Sequence, residues 1–396
     1  MTTFDGLWAA LEPIGRDAGT GGYRRFAWTR EDATLREWFA GAADARGLSV
    51  TVDRAGNQWA WQGDPDADGP GVVVGSHLDS VPDGGAFDGP LGVVSAFAAL
   101  DVLRGKGFRA ERPVGIVNFG DEEGARFGIA CAGSRLLTGA LAADRARGLT
   151  DADGVTLAEA MTRAGRPPEH LGGDDETLRR VGTFVELHVE QGRGLGVLDR
   201  PVGVASSIRP HGRWRIDLPG EANHAGTTLL TDRDDAMIAY ARTVLAARES
   251  AQQHGALATC GKVQVQPNGV NAIPSHVTAW LDARAPDSGQ VRAVLADLER
   301  IVAQHRGTIV EESWSDATAF APELTRRLSG LLDDAPVLDT GAGHDAGIIA
   351  AAGIPAAMIF VRNPTGISHS PAEHADRDDC LAGVAALATV LEDLCR

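Results

Sequence analysis

The hydrophobic and polar positions of the chain predict buried strands that alternate with helices in its first and last parts. Short apolar runs bounded by Gly or Pro cover residues 71–75, 113–119 and 355–360, as expected for strands buried on both faces of a parallel sheet. The Ala-rich segment 92–103, between the first two runs, is helical in composition. Strands that alternate with helices in this way predict a βαβ arrangement and an α/β fold class.

In the middle of the chain, the pattern changes to strands in which apolar and polar side chains alternate, and to two helices. The predicted elements are a strand at 213–218, a helix at 232–252, strands at 263–266 and 277–284, a helix at 287–305 and a strand at 308–310. This β-α-β-β-α-β order is that of the split βαβ, or ferredoxin-like, sandwich. We therefore predict one α/β domain of residues 1–208 and 325–396, into which residues 209–324 insert as a second domain.

Composition and charge argue against several classes of function. The 396 residues include 37 Lys and Arg against 54 Asp and Glu, a net charge of −17, which argues against nucleic acid or an anionic membrane as a partner. The four Cys are widely spaced without a C-x-x-C pair, which argues against a thiolate zinc site and a disulfide framework. We recognise no signal peptide and no apolar run of membrane length, so we expect a cytoplasmic protein.

Five segments combine a His or a carboxylate with glycines or turn residues. Three of them directly follow predicted strands, and ligand sites in open α/β sheets lie at the carboxyl ends of strands. The sequence therefore predicts a site at one edge of the sheet. The segments are GSHLDSVPDGGAFDGPLG at 75–92, DEEGARFG at 121–128, ELHVEQG at 186–192, GEANHAGTT at 220–228 and GISHSPAEH at 366–374.

The first two segments contain residues suited to a metal site. His77 closes the first predicted strand, Asp79 could hold the second nitrogen of its ring, and Asp88 lies among glycines that allow close backbone approach. Glu122 and Glu123 follow the second strand, and two adjacent carboxylates repel each other unless a cation or a proton relieves the repulsion. Taken alone, these residues have ordinary alternatives: a hydrogen-bonded loop His, a turn Asp or a solvated acidic loop.

Two further His residues complete the set. His188 lies in the strand-like run 184–189 and His369 follows the strand at 355–360, and either alone is more ordinary as a structural residue. Together, three His and two or three carboxylates at strand ends offer the nitrogen and oxygen donors that Zn²⁺, Mn²⁺ or Co²⁺ accept. Their number suits two metal ions bridged by one carboxylate, an arrangement that many hydrolases use.

Seven motifs, in this order, resemble those of the M20 superfamily of metallopeptidase-fold amidohydrolases. The likeness runs over nearly the whole chain and is greatest to the branch that holds N-carbamoyl-L-amino acid amidohydrolase, β-ureidopropionase and allantoate amidohydrolase. It implies a zinc-peptidase-like catalytic domain with a mixed sheet and an inserted lid or dimerisation domain. The motifs are HLDSVPDGGAFDGPLG, DEEGARFG, HVEQG, NHAGTT, GVNAIP, GAGHDA and GISHSPAEH.

The resemblance implies a role for each residue of the predicted metal site. The implied ligands are His77, Asp88 and His188 for one metal ion, and Asp88, Glu123 and His369 for the other. Asp88 would bridge the two ions, Glu122 would be the general base that acts on the bridging water, and Asp79 would support His77. Zn²⁺ is the first choice of metal, and Mn²⁺, Co²⁺ or Ni²⁺ would bind similar ligands.

The resemblance also implies how the substrate is held. His224 matches a His of the inserted domain that, in the family, reaches the active site of the partner subunit and polarises the scissile carbonyl, so a homodimer is implied. Asn271 and Arg284 match residues that hold the substrate carboxylate, which a guanidinium can bind with two hydrogen bonds. Gln191 matches a substrate-facing Gln. His344, in GAGHDA, is expected near the site without a defined role.

Three departures from the family pattern concern the substrate pocket. The segment SSI is followed by RPHG instead of a Val-Gly-Gln-like stretch, HAGTT by LL instead of Pro-Met, and the last strand by RN instead of smaller or uncharged residues. His211 and Arg362, which lie in these departures, are candidate specificity residues. We hypothesise that Arg362 holds a second carboxylate, which would favour N-formyl-L-glutamate or an N-carbamoyl acidic amino acid.

Three functions remain open on this basis. The first is hydrolysis of a linear C–N bond in an N-carbamoyl or ureido acid, allantoate included, by metal-activated water with Glu122 as the base. The second is a deformylase or deacylase on the same scaffold. The third is a metal-binding relative without activity, against which the presence of Glu122 argues. The expected partners are a small carboxylate substrate and a second copy of the chain.

Overall fold

The computed structural model describes residues 3–396 and divides into two compact units. The first unit comprises residues 3–207 and 319–396, and the second is Ile208–Thr318. The sequence pattern placed the end of the insertion near residue 325, whereas the structure ends it earlier. The main chain gives the reason, because the N–H of Phe320 donates to the carbonyl oxygen of Ser206 in the first unit at 3.0 Å.

The helices and strands follow one another in three groups. Before the insertion lie α1 (Phe4–Leu11), α2 (Arg30–Asp44), β1 (Ser49–Val52), β2 (Gln58–Gln62), β3 (Gly71–His77), α3 (Pro90–Gly105), β4 (Val114–Phe119), α4 (Ala132–Leu137), α5 (Ala143–Arg147), α6 (Leu157–Arg163), a 3₁₀ helix (Pro168–His170), α7 (Asp175–Arg179), β5 (Val181–Val189), α8 (Gly194–Leu198) and β6 (Val202–Ile208). The insertion contains β7 (His211–Pro219), β8 (Asn223–His224), a 3₁₀ helix (Leu230–Asp232), α9 (Ala236–His254), β9 (Leu257–Gln266), β10 (Ala272–Ile273), β11 (His276–Arg284), α10 (Ser288–Gln304) and β12 (Thr308–Ser315). The last group is β13 (Thr318–Ala319), α11 (Pro322–Leu331), β14 (Val337–Thr340), α12 (Asp345–Ala351), β15 (Ala356–Val361) and α13 (Arg377–Leu394).

A nine-stranded mixed sheet forms the centre of the first unit, which confirms the predicted mixed α/β architecture. Its strands lie in the order β1-β2-β4-β3-β5-β15-β6-β13, and β14 pairs with β6. The neighbours β4, β3, β5 and β15 run parallel. The pairs β1–β2, β2–β4 and β15–β6 are antiparallel. The carboxyl ends of four adjacent strands therefore meet along one edge of the sheet.

The central strands are buried because apolar residues occupy most of their positions. Every residue of β3, β4 and β15 is buried, and these strands contain the three apolar runs recognised in the sequence. Helices α3 and α13 share one apolar core with them. The loops that leave these strands thus start from a rigid, close-packed base, which holds the side chains at the strand ends in fixed positions.

The second unit is a four-stranded antiparallel sheet in the order β12-β7-β11-β9. Its longer elements follow the predicted β-α-β-β-α-β order, with the two-residue strands β8 and β10 added. Alternate residues of β7 and β11 are buried in one apolar core with α9 and α10. The polar residues of these strands lie on the opposite face, because successive side chains of a strand point to opposite sides.

Within residues 3–396, no helix combines the length and the apolar character that crossing a membrane requires.

We expect Gly75→Ala to destabilise the first unit. Gly75 lies in β3 with φ +145°, and a Cβ at this position would lie 2.1 Å from the carbonyl oxygen of Val117 in the neighbouring strand. Backbone atoms of a paired strand cannot move aside, so the apparent melting temperature should fall by more than about 5 °C. Thermal unfolding followed by circular dichroism would measure this.

Gly41→Ala is the matched control, since Gly41 lies in α2 and a Cβ there would meet no atom within 4 Å. Alanine favours a helix over glycine, so this variant should melt no lower than the wild type. Equal melting temperatures for the two variants would contradict the strain assigned to Gly75.

Candidate metal centre

The structure brings the five predicted metal ligands together at the carboxyl ends of the four parallel strands. His77 is the last residue of β3, Asp88 lies in the loop before α3, Glu123 follows β4, His188 lies near the end of β5, and His369 lies in the loop after β15. Their donor atoms form two groups that share Asp88. Within each group, the donor atoms lie within 4.8 Å of one another.

The two oxygens of Asp88 face different partners. Oδ1 lies 3.0 Å from Nε2 of His188 and 3.6 Å from Nε2 of His77. Oδ2 lies 3.4 Å from Nε2 of His369, whose Nε2 also lies 3.6 Å from Oε2 of Glu123. One carboxylate therefore joins two sets of ligands, which is the geometry that a bridging ligand requires.

The donor atoms themselves indicate that the residues fit divalent cations. Nε2 of His77, Nε2 of His188 and Oε1 of Glu123 are buried, and in the described part of the chain none of them makes a hydrogen bond of good geometry, although Nε2 of His188 lies close to Asp88. A buried polar atom without a partner is unfavourable unless an ion or water satisfies it. Imidazole nitrogens and carboxylate oxygens are suitable ligands for Zn²⁺, Mn²⁺ and Co²⁺. The site is therefore suited to a pair of divalent metal ions.

Hydrogen bonds on the far side of two imidazoles orient them. Nδ1 of His188 lies 2.8 Å from the carbonyl oxygen of Val189, and Nδ1 of His77 lies 3.2 Å from the carbonyl oxygen of Asp79. A carbonyl oxygen can only accept, so each Nδ1 carries a proton, and each Nε2 faces Asp88 and would offer a lone pair to a metal ion once its own proton is lost. Metal-binding His residues are commonly held in this way.

Asp79 has a second function besides its contact with His77. Its two carboxylate oxygens accept hydrogen bonds from the N–H groups of Glu122 (3.1 Å) and Glu123 (3.0 Å). Oδ1 of Asp79 also lies 3.4 Å from Nδ1 of His77. The carboxylate of Asp79 thus fixes the position of His77, at the end of β3, relative to the loop that follows β4.

Glu122 lies buried beside the first group of ligands, with Oε2 at 3.8 Å from Nε2 of His77. Burial raises its pKa well above the ordinary value, the charge of His77 opposes the rise, and Asp345 and Glu123 add to it. Burial and the charge of Asp88 also raise the pKa of Glu123 to about 7. Bound cations would oppose both rises, because a nearby positive charge favours the ionised carboxylate.

His369 is held in an unusual backbone conformation. Its φ is +54°, in the left-handed region, which costs energy for a residue with a Cβ. Burial lowers the pKa of its imidazole, but a hydrogen bond with Asp88 and the charge of Glu123 outweigh burial and raise the pKa to about 9. The strained backbone and the acidic partners both hold this ring at the second group of ligands.

Glu373 is a supporting residue that sequence reasoning left without a role, although it lies in the same motif as His369. Its Oε1 accepts hydrogen bonds from the N–H groups of Phe87 (2.9 Å) and Asp88 (3.0 Å). Its Oε2 accepts from the hydroxyl of Ser368 at 2.9 Å. Glu373 thereby ties the loop that carries the bridging carboxylate to the loop that carries His369.

The structure places His344 against His188, a predicted metal ligand. Its buried ring packs edge to face on His188, with 4.5 Å between the ring centroids. One donor atom each from Glu186, His188 and His344 lies within 4.8 Å of the other two, and all three residues are buried. Glu186 accepts hydrogen bonds from the hydroxyl of Ser76 at 2.7 Å and from the N–H of Ala346 at 2.9 Å. His344 therefore contributes to the packing around His188.

The predicted substrate residue Gln191 contacts the ligands in this structure. Its Nε2 donates to Oδ2 of Asp88 at 2.8 Å and to the hydroxyl of Ser368 at 3.3 Å, and it lies 3.3 Å from Nε2 of His369. Its Oε1 is buried without a hydrogen-bond partner in the described residues. Gln191 is thus next to the second group of ligands.

The contacts of Arg362 argue against its predicted role as the holder of a second substrate carboxylate. Its Nε and Nη2 donate to the two oxygens of Asp379 at 2.7 and 2.9 Å, and Nη1 donates to Asp199 at 2.8 Å. Every guanidinium nitrogen is therefore engaged by an aspartate of the chain itself. The sequence could not reveal these partners, because neither is adjacent to Arg362 in the chain.

In the second unit, the predicted residue His224 ends β8, the predicted residue Asn271 directly precedes the paired strand β10, and both are exposed. Nδ1 of His224 accepts a hydrogen bond from the N–H of Gly226 at 3.0 Å, so a neutral ring carries its proton on Nε2. The N–H of Ala225 donates to the carbonyl oxygen of Asn271 at 3.0 Å. This backbone bond connects the two predicted residues.

Arg284 and His211 are cross-strand neighbours in the second unit. The register of β11 against β7 pairs them directly, and side chains at paired positions lie on the same face of the sheet. Nε and Nη2 of Arg284 donate to the two oxygens of Asp282 at 2.7 and 2.9 Å. A carboxylate of the chain thus orients the guanidinium that the family pattern assigns to substrate binding.

Comparison with known proteins agrees with the resemblance to the M20 superfamily that the sequence motifs indicate. The family model described as Peptidase family M20/M25/M40 matches residues 73–393. The chain is 36% identical to an N-carbamoyl-L-amino acid amidohydrolase of Geobacillus stearothermophilus, an alignment that covers 96% of each chain. It is 33% identical to an allantoate amidohydrolase of Escherichia coli, over 97% of this chain and 95% of the other.

A solved structure also resembles the fold. A hydantoinase/carbamoylase family amidase of Burkholderia vietnamiensis matches with a TM-score of 0.90 and 31% identity, over 100% of this chain and 98% of that chain. M20 enzymes are metal-dependent, in keeping with the two groups of ligands that share Asp88. The family match and the extent of these likenesses show that this protein belongs to the M20/M25/M40 peptidase family and is a hydrolase that acts on amides.

Proposed function

We propose that the protein hydrolyses a linear C–N bond of a ureido acid, either an N-carbamoyl-L-amino acid or allantoate. The observation that carries the proposal is the carboxylate of Asp88, which both predicted ligand groups share and which faces His188 with one oxygen and His369 with the other. The buried carboxylate of Glu122 lies beside His77 of the first group. Amidohydrolases of ureido acids are among the proteins that the chain resembles over nearly its whole length, and they supply the substrate class.

The proposed site would hold two divalent cations. The ligands of one ion would be His77, Asp88 and His188, and those of the other would be Asp88, Glu123 and His369. Zn²⁺ is the first choice of metal, and Mn²⁺, Co²⁺ and Ni²⁺ are the alternatives. When bound, they supply Lewis acidity that makes water a better nucleophile and the carbonyl a better electrophile.

Glu122 is the general base of the proposed reaction. It takes a proton from the attacking water and then gives a proton to the leaving nitrogen, as one carboxylate can do in successive steps. Its buried position favours this exchange, because burial raises its pKa and so strengthens the carboxylate as a base. Cleavage of a carbamoyl group leaves a carbamate, which decomposes to CO₂ and ammonia.

His224, Asn271 and Arg284 bind the substrate in this proposal. The Nε2–H of His224 can donate to the oxygen that becomes negative as water adds to the carbonyl. Arg284, oriented by Asp282, and Asn271 hold the substrate carboxylate. Gln191 faces the substrate from the metal centre, and His211, opposite Arg284, lies next to the carboxylate subsite.

The contacts of Arg362 bear on acidic substrates of both functional classes. Arg362 was expected to hold a second carboxylate, in N-formyl-L-glutamate or in an N-carbamoyl acidic amino acid, and it is engaged by Asp379 and Asp199. A deformylase or deacylase on the same scaffold stays the second candidate. An inactive relative is disfavoured by Glu122, which is buried beside the ligands. Analysis of the reaction products distinguishes both alternatives from the proposed activity.

The first test is product analysis of the metal-loaded protein on a panel of N-carbamoyl-L-amino acids, allantoate and N-formyl-L-glutamate. We expect ammonia from at least one carbamoyl or ureido substrate, no activity after chelation, and recovery when Zn²⁺ or Mn²⁺ is added. Amine release from the formyl substrate alone, without ammonia from any other, would identify a deformylase and contradict the proposal. No product from any substrate would favour an inactive relative.

The second test replaces the proposed base. Glu122→Gln should lower kcat by about 10²- to 10⁴-fold, because the carboxamide cannot accept the proton of the attacking water. Bound metal, measured by elemental analysis, should not change, since Glu122 is not a proposed ligand. Glu111→Gln, at an exposed position, is the control for the same change of charge. A Glu122→Gln variant with wild-type kcat would refute this role.

We also propose a homodimer in which the second unit contacts a second copy. Strand β9 lies at the edge of the four-stranded sheet, where its outer backbone groups can pair with another strand. Ile238 and Leu245, two turns apart on α9, are 52% and 64% exposed, and Val263 on β9 is 44% exposed. Exposed apolar side chains beside a sheet edge favour association with another polypeptide.

Mixing two inactive variants tests whether His224 acts across subunits. Exchange between Glu122→Gln and His224→Ala dimers gives a mixed dimer with one site that has both groups and one that has neither. Random exchange should therefore restore about one quarter of wild-type activity, since half of the dimers are mixed. Two different affinity tags would verify the exchange. No recovery after verified exchange would show that His224 acts within its own subunit.

A further inference from the structure

Cys131 is a buried thiol that the proposed reaction does not use, and it touches the proposed base. The residue is 2% exposed and precedes α4. Its Sγ lies 3.2 Å from Oε1 of Glu122, within the range of a hydrogen bond from sulfur. The other oxygen of Glu122, Oε2, faces Nε2 of His77 at 3.8 Å. The two carboxylate oxygens therefore have different neighbours, a thiol on one side and a metal ligand on the other.

The thiol of Cys131 acts as the donor in its contact with Glu122. In the described residues, the thiol of Cys131 donates a hydrogen bond to Oε1 of Glu122, whereas His77 lies beyond hydrogen-bond distance of that carboxylate. Burial raises the pKa of the Cys131 thiol well above its ordinary value, and the charge of Glu122 raises it further. The sulfur therefore keeps its proton and acts as the donor.

The backbone holds the thiol in place. Cys131 adopts φ +54°, in the left-handed region that residues with a Cβ seldom occupy. Its N–H donates to the carbonyl oxygen of Glu122 at 2.5 Å, and the N–H of Ala132 donates to the carbonyl oxygen of Asp121 at 3.0 Å. Both ends of the loop between Glu122 and Cys131 are thus tied together by main-chain bonds as well as by the side chains.

We propose that Cys131 is a positioning residue for the reaction: its thiol holds the carboxylate of Glu122 so that Oε2 faces the metal ligands. A base must be aimed within a fraction of an ångström at the proton that it takes, and a loose carboxylate loses rate without losing substrate affinity. The thiol is a weak donor, so it fixes the orientation of Glu122 with little loss of its basicity. This inference rests on the proposed function of Glu122 as the base.

The test compares Cys131→Ala, which removes the donor, with Cys131→Ser, which keeps one. Both variants keep a Cβ at the left-handed position, so the backbone strain is the same in all three proteins. With the best substrate of the panel, Cys131→Ala should lower kcat about tenfold with KM within about twofold of wild type. Cys131→Ser should stay within about threefold of the wild-type kcat. Metal content should not change.

Cys395→Ala is the matched control, because Cys395 is also a fully buried thiol but lies at the end of α13. It should keep the wild-type kcat, which separates loss of the contact with Glu122 from loss of a buried sulfur. Wild-type kcat in Cys131→Ala would overturn the proposal, as would a Cys131→Ser variant that is as slow as Cys131→Ala.

Crystal structures provide a readout that does not depend on activity. In Cys131→Ala, the carboxylate of Glu122 should rotate or become disordered, and in Cys131→Ser it should keep its orientation. An unchanged Glu122 in Cys131→Ala would overturn the positioning role even if the wild type hydrolysed no substrate of the panel. Failure of the panel with a rotated Glu122 would instead refute the proposed function and leave the contact established.

Discussion

Asp79, Asp88, Glu122 and Glu123 lie together at one edge of the sheet, where little water reaches them and their mutual repulsion is weakly screened. Partners stabilise the charge of two of them. Asp79 accepts two backbone hydrogen bonds, and Asp88 faces three imidazoles. Burial instead disfavours the charged forms of Glu122 and Glu123, whose pKa values are raised. The fold holds these acidic groups close together through hydrogen bonds such as those to Asp79 and Glu373, and bound cations would relieve the remaining repulsion.

The supports come from distant parts of the chain. The loop with Asp88 is fastened by Glu373, which lies beyond the insertion, and the loop with Glu122 and Glu123 is fastened by Asp79 from the end of β3. His369 adopts a left-handed backbone conformation at the position where its ring reaches this cluster. Rigid strands beneath these loops make such constraints possible, because a side chain at the end of a packed strand has little freedom to move.

The sequence predicted the parts that depend on local pattern. The apolar runs located β3, β4 and β15, and the motifs at their ends identified the residues that the structure brings together around Asp88. It failed where a residue depends on a distant partner. Arg362 resembled a substrate-binding residue until the structure paired it with Asp379 and Asp199. Cys131 carried no signal, since its importance arises only from its contact with Glu122.

The position of β15 in the sheet has a consequence for synthesis on the ribosome. β15 lies between β5 and β6, yet it follows the whole second unit in the chain. A nascent chain that has emerged only as far as Thr318 therefore has a gap in the middle of its sheet and lacks His369 and Glu373. The second unit has its own apolar core and can fold during this interval. Vectorial synthesis thus delays the second group of predicted ligands, and the support that Glu373 gives to the loop with Asp88, until the sheet is closed, whereas His77, Asp88 and His188 have already been made.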